Sequence, residues 1–393
     1  MSVLQIAATE GRVPHLQAGN TRNKGDVAND LQPKRDISIY NRFEGIAPPD
    51  TSDFVRTEPW MEFKTEGGGP PFRDNCDATE DERLWEIEEG SFTPHTVEGN
   101  QAHGQLEQDT GTRNSLQFRH FSFSIVVRGD HALFLRCEPT ATVVTAAFNH
   151  FTNSRLMADF FGRLDHPSAR EQSHDISIQS EKLEPEVDAR VKEKLGIKDK
   201  NIPLYKYNVR GLVGMDHAYD PRSPSQNGLL VSRCTRSLPM VWIPAEDVIG
   251  DTRTFSETGE RDADQYTGQD EDDKQGPWSE ERIIYMKDTW RFLSDSPGVK
   301  PMPEHQIHEI PHRHGTSNAP EHVAGGDVGV GRAQTQELVD VPWLYVWPRI
   351  SPYQHYRLVH AIIGHPLFKF ECTKQLVAAV FDALQGEFIS SYA

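Results

Sequence analysis

The sequence predicts an α+β protein built as two sheet-rich units joined by a helical connector, and three observations carry that prediction. Apolar and polar residues alternate in short runs before residue 65 and again after residue 205, which is the period of half-buried strands. A charged stretch over 166–204, with helical spacing near Glu186–Leu195, separates the two. The chain of 393 residues, 36% apolar, is long enough for two cores.

The elements follow in order. Residues 1–34 are polar, lack a clear period and read as a variable tail or a loosely packed helix. An α/β domain is expected over 35–165. Asp36–Tyr40 and Trp60–Lys64 alternate as strands, and the Gly-Gly-Gly-Pro-Pro run at 67–71 breaks the chain. Residues 76–100 are acidic and loop-rich. Phe121–Val127 and Ala132–Cys137 are strands joined by a Gly129-Asp130 turn. Val143–Phe148 is a third strand or the run into a helix, and Leu156–Leu164 has helical spacing. Past the connector, a second sheet-rich unit is expected over 205–365. Its strand candidates are Tyr205–Val213, Gly228–Arg233, Leu238–Ile243, Arg282–Lys287, Trp343–Trp347 and Tyr356–Ile363. The segment 251–281, dense in Asp, Glu, Gln and Gly, reads as a solvated disordered insertion. Pro303–Ile310 is a short helix with proline at its entry. Thr373–Phe388 is an amphipathic helix carrying Leu376, Val377, Val380, Phe381 and Leu384 on one face.

Composition narrows the functions. A net charge of −18 does not gather nucleic-acid phosphates through the overall field, so a passive DNA or RNA coat is disfavoured. Cys76, Cys137, Cys234 and Cys372 are dispersed, with neither the pairing of a zinc site nor the density of a disulfide framework. They read as reduced thiols. No apolar leader opens the chain and no window approaches the ~20 apolar residues that span a bilayer. An intracellular, cytoplasmic or nuclear protein without a membrane is the expectation.

Three blocks, taken together, resemble the fungal-type protein kinase family. The first is Phe121–Arg136, continued by Val143–Phe148 and Asp159–Arg163. The second is Tyr285–Arg291. The third is His355–Val359, then Ile363-Gly-His-Pro-Leu367 and Leu376–Leu384. The resemblance implies a protein-kinase-like N-lobe over 205–365, and the first helix of the C-lobe over 366–393. It implies ATP with Mg2+ as ligand and protein Ser/Thr as acceptor. Kinases carry on one strand of the lobe a lysine that pairs the α/β-phosphates, held by a helix glutamate. By position these are Lys287 and Glu304, with Glu309 as the alternative partner. The bland reading of Lys287 is a surface lysine on an edge strand.

The nucleotide loop of the family is glycine-rich and carries a Thr-Arg pair. Here Thr235 and Arg236 stand in that position, but Ser232, Cys234 and Ser237 replace the glycines that let backbone amides approach phosphate. An ordinary hairpin turn explains the segment as well. Ile362 and Ile363 match the hinge against which the nucleotide lies. The catalytic base and metal-binding Asp and Asn expected after the last helix do not occur through Ala393, so the resemblance implies an incomplete or inactive kinase. A non-catalytic scaffold or regulatory binding module is the alternative.

A second constellation lies near the start. Asp36 followed by Glu62-x-Lys64 resembles restriction-endonuclease-like folds, whose two carboxylates hold magnesium while the lysine polarises the attacking water. On a strand, Glu62 and Lys64 share a face, and Gln105 follows near the start of a helix. The resemblance implies an Mg-dependent nuclease-like site; a cross-strand ion pair, or a relic of that fold without activity, accounts for the same residues. His305, His308, His312 and His314 read as solvated rather than metal-binding, because Pro311 interrupts the helix that would align them.

Overall fold

The computed structural model describes residues 13–21, 36–41, 57–64, 71–72, 96–138, 141–165, 174–175, 177–180, 183–198, 204–209, 212–217, 235–242, 281–294, 301–313, 320–333, 335, 351–361 and 370–392. They form a mixed α+β structure around two sheets.

The first sheet runs in chain order: β1 (Leu16–Asn20), β2 (Ile37–Asn41), β3 (Thr57–Lys64), β4 (Ser122–Arg128), β5 (His131–Cys137) and β6 (Thr142–Val144), with β7 (Phe148–Asn149) also on β5. All pairings are antiparallel except β3 with β4, which is parallel. Parallel neighbours need a crossover, and α1 (Val97–Gln117) supplies it. Ile125 and Val127 pack with Leu16, Ile39 and, from α2 (Ser154–Leu164), Met157 and Phe161. Val126 faces the other way and packs with Leu106 of α1. The central strand is therefore apolar on both faces, which explains the unbroken run Ile125–Val127. The segment read as a tail holds β1, with Val13 and Leu16 buried.

Helix α1 has almost no apolar stripe. Its Thr96 cap accepts from the Gly99 amide, and Arg113 and Gln117 bury their polar ends on the Thr57 carbonyl. It ends at Phe118 in the left-handed region, φ 51°. That turn directs the ring into the second sheet.

The second sheet has the order β13-β14-β12-β11-β10-β9-β8, all antiparallel. These strands are β8 (Ile178–Ser180), β9 (Leu204–Val209), β10 (Leu212–His217), β11 (Arg236–Trp242), β12 (Arg282–Phe292), β13 (His322–Arg332) and β14 (Tyr353–His360). One face buries Tyr207, Met240, Trp242, Ile284, Met286 and Val359 around Phe118. The opposite face carries α3 (Pro185–Leu195), whose Val187 and Val191 pack on Val241, and α4 (Glu304–Arg313). Pro185 opens α3, and Gly196 closes it at φ 70°.

The run expected as one strand over Tyr205–Val213 is a hairpin of two, and β12 continues five residues past Lys287. Strand β13 was not expected. The candidates Gly228–Arg233 and Trp343–Trp347 and the insertion at 251–280 lie outside the described residues. Helix α5 (Thr373–Tyr392) forms as expected, with Val377, Val380 and Phe381 exposed. Cys137 is a buried free thiol and Cys372 an exposed one. Among the described residues no helix is long and apolar enough to cross a membrane.

Candidate functional site

The first candidate lies where α4 crosses the second sheet. Strand periodicity sends Lys287 and Thr289 of β12 to one face and Met286 and Asp288 to the other. On the Lys287 face, α4 is seated by three contacts. The Tyr356 hydroxyl accepts from the His305 amide at 2.7 Å. His308 meets His360 edge to face at 4.7 Å. Gly325 of β13 lies under His305 so closely that an added Cβ would come within 2.8 Å of the His305 Cβ. This seating brings Glu304, in the first turn of α4, to Lys287. The ammonium donates to both carboxylate oxygens, at 2.8 and 2.7 Å. The side chains remain 25% and 35% exposed, so the pair is reachable from solvent. His308 and Lys287 hold the Glu304 carboxyl down to about 2, against the opposing effect of burial. The His308 ring nitrogen stands 3.8 Å away, so the lysine is the closer partner.

Thr235 and Arg236 are neighbours and therefore diverge. Thr235 shares the Lys287 face, its hydroxyl 2.8 Å from that of Thr289. Arg236 points to the opposite face, where it binds Asp288 at 2.6 Å and lies over the Phe118 ring. The structure therefore brings together Lys287, Glu304 and Thr235, and separates Arg236 from them. Ile362 and Ile363 lie outside the described residues, as does His314.

Beneath Lys287, on the other face, is a buried ionic network that the sequence reading passed over. Asp288 engages Arg236 and His355, and Arg357 engages Asp175, whose carboxylate also binds Ser177. Burial by itself would raise both acids; the cations around them hold Asp288 well below, and Asp175 below, the usual carboxylate value. A signal was present in β12. Asp288 occupies a core-facing position in the series Ile284, Met286, Asp288, Trp290, and a buried charge requires partners.

The second candidate lies on the first sheet. Asp36 precedes β2, and its carboxylate accepts from the Phe63 amide at 2.8 Å. Glu62 and Lys64 share one face of β3, beneath α1. Lys64 donates to Glu62 at 2.8 Å and to Gln105 at 3.0 Å, and Gln105 donates to the same Glu62 oxygen at 3.1 Å. The other oxygen, Oε2, is buried without a hydrogen-bond partner. Burial raises the Glu62 carboxyl, the Asp36 charge adds to this, and Lys64 opposes it. All four residues singled out by their spacing therefore meet, although α1 itself carries no apolar pattern to announce it.

No protein-family model matches the chain. Searches of curated proteins and of solved structures likewise return no match.

Proposed function

We propose that the second sheet is a nucleotide-binding lobe of the protein-kinase type, with ATP as its ligand. The carrying observation is the bidentate Lys287–Glu304 pair, made between β12 and the helix that follows it. Counted from the β9–β10 hairpin's second strand, β12 is the third strand among the described residues. Kinases place their phosphate-binding lysine on the third strand of the lobe and hold it with a glutamate of the next helix. The described residues fit a triphosphate in part. Lys287 is oriented by Glu304 and open to solvent, and the Thr235 hydroxyl shares its face. Arg236 is committed to Asp288 and offers no phosphate contact. Magnesium, when bound with the nucleotide, would neutralise the phosphate oxygens. Lys287 would hold the α- and β-phosphates, and Glu304 would keep the ammonium from turning into the sheet. Nucleotide binding, with regulation or scaffolding as its use, is what these residues support; transfer to protein Ser/Thr is the further expectation from the family resemblance. The test is thermal unfolding with Mg-ATP. A rise in Tm that Lys287→Met abolishes is expected, and no shift at saturating Mg-ATP would refute the reading.

A second reading has its own observation, the orphaned Oε2 of Glu62 beside Asp36. An unpaired buried carboxylate oxygen is costly, and a divalent cation shared with Asp36 would satisfy it. Asp36 and Glu62 would hold magnesium or manganese, and Lys64, fixed by Gln105, would orient an attacking water toward a phosphodiester. Because the net charge is −18, nucleic acid would have to be gripped through the ion rather than the overall field. Cleavage of plasmid DNA or RNA that requires Mn2+ or Mg2+ and disappears in Glu62→Gln is expected; no cleavage with either ion would dismiss it.

A further inference from the structure

We infer that His120, Asp175 and His355 form a binding site for a transition-metal ion of the zinc class, set in the seam between the two sheets. The three come from separate parts of the chain. His120 lies between α1 and β4, Asp175 lies just before β8, and His355 is on β14. Their ligand atoms all lie within 4.8 Å of one another. His355 Nδ1 is 3.9 Å from one Asp175 oxygen, and His120 Nε2 is 3.9 Å from the other.

Three features favour an ion over a simple polar cluster. First, His355 Nδ1 is buried and has no hydrogen-bond partner, although it is aimed at a carboxylate. A separation of 3.9 Å is too long for a hydrogen bond. It is close to the ~3.4 Å between ligand atoms of a tetrahedral ion with bonds of about 2.0–2.1 Å. Second, the other ring nitrogen of His355 is bound to Asp288 at 2.5 Å. A carboxylate behind a histidine fixes the tautomer and leaves the opposite lone pair for a metal, the usual outer shell of such ligands. Third, the His120 side chain is 25% exposed, which provides an entry path and the freedom to draw in ligand atoms that now lie within 4.8 Å of one another.

Trp290 stacks on His355 and meets His120 edge to face, so the rings are held by packing before any ion arrives. Ser177 donates to Asp175 Oδ1 through both its amide and its hydroxyl, whereas Oδ2 accepts from Arg357 and keeps a second lone pair for a metal. The guanidinium charges of Arg357 and Arg236 are balanced by Asp175 and Asp288, so the ion adds its charge to a neutral cluster and binds less tightly than in an all-anionic cage. Two imidazoles and one carboxylate select zinc, cobalt, nickel or copper over magnesium and calcium. The site is thereby chemically distinct from the oxygen-only pair Asp36 and Glu62.

The experiment uses the full chain, stripped of metal by chelation and dialysis, then titrated with Zn2+ and separately with Co2+. The wild type is expected to retain one equivalent of zinc after gel filtration and to rise in Tm. With cobalt it should give the intense visible absorption of a four-coordinate ion. His120→Ala, at a partly exposed position, should keep the far-ultraviolet spectrum and lose the retained metal and the colour. Glu62→Gln and Lys287→Met should lose neither, which separates this site from both readings above. Absence of retained zinc in the wild type would overturn the inference. So would retention undiminished in His120→Ala, because the ion would then sit elsewhere, for example on the histidines of α4.

Discussion

The Lys287–Glu304 pair is the place to measure, through a double-mutant cycle of Lys287→Met and Glu304→Gln. Two charge-assisted hydrogen bonds of 2.7 and 2.8 Å join the groups. Unit charges about 4 Å apart attract by about 4 kcal/mol at an effective dielectric of 20. Fully exposed pairs return only ~0.2–1 kcal/mol because solvent screens them and ordering costs entropy. With side chains 25% and 35% exposed, this pair lies between the limits, and a coupling of about 1–2 kcal/mol is expected after that discount. The pH dependence gives an independent reading. The folded-state Glu304 carboxyl is depressed to about 2, below its ordinary 4.5. Its contribution is therefore complete above pH ~4.5 and is lost as pH falls toward 2. Urea unfolding of the four proteins at pH 7 and pH 3 measures both. Lys287→Met should cost most at pH 7 and progressively less below pH 4.5. A coupling under ~0.3 kcal/mol, or a cost that does not change with pH, would refute the claim that the helix is held to the strand by this pair.

Three other outcomes follow from the same geometry. Gly325→Ala would place its Cβ 2.8 Å from the His305 Cβ and 3.0 Å from Leu358, forcing α4 outward; a loss of ~1–3 kcal/mol in urea unfolding, with a smaller Lys287–Glu304 coupling, is expected. Arg357→Met strands Asp175 and weakens the hold on Asp288, both buried, so it should cost ~3–5 kcal/mol, more than Lys287→Met, in the same assay. Glu62→Gln should raise the urea midpoint at pH 7 in metal-free buffer, because the folded-state carboxyl is raised and its charge opposes folding. That gain should fade as pH falls through the raised value and the wild-type group takes up its proton.

Much of this was legible in the sequence, for reasons that differ by element. Strands β4 and β5 announce themselves because a buried central pair must be apolar on both faces, and the Gly129 turn between them takes the positive φ of 55° that its residue allows. The Asp36, Glu62 and Lys64 group was readable because two-residue spacing on a strand is a face. Lys287 and Glu304 were legible only through the family resemblance, since a lysine closing an apolar strand has several explanations. Three things were not readable. Helix α1 is held by Arg113 and Gln117 reaching the Thr57 carbonyl of β3, with Arg113 also on the Phe123 carbonyl of β4, and such contacts leave no periodicity. Strand β13 reads His-Val-Ala-Gly-Gly-Asp-Val-Gly-Val-Gly-Arg, a composition that disfavours strands. At Gly325 the absence of a side chain is what lets α4 approach, a demand from outside the strand. The network of Asp175, Asp288, Arg357 and His355 draws on three segments, and pairing at that range is a property of the folded sheet.

The strand order has a consequence for the order of events in folding. Among the described strands, β9, β10, β11 and β12 each pair with the one before them, so that much of the second sheet can grow by successive neighbours. The next neighbour of β12 is β14, not β13, and Phe292 meets Tyr353 about sixty residues later in the chain. Closing a loop of that length must precede any contact it rewards, which slows sheets built on non-local pairing. The seat of α4 is made from β13 and β14, at Gly325, Tyr356 and His360. Helix α4 therefore lacks most of its seat until β14 has entered between its neighbours. Although Lys287 and Glu304 are only seventeen residues apart, their union comes late, as a signal that the far edge of the sheet has closed.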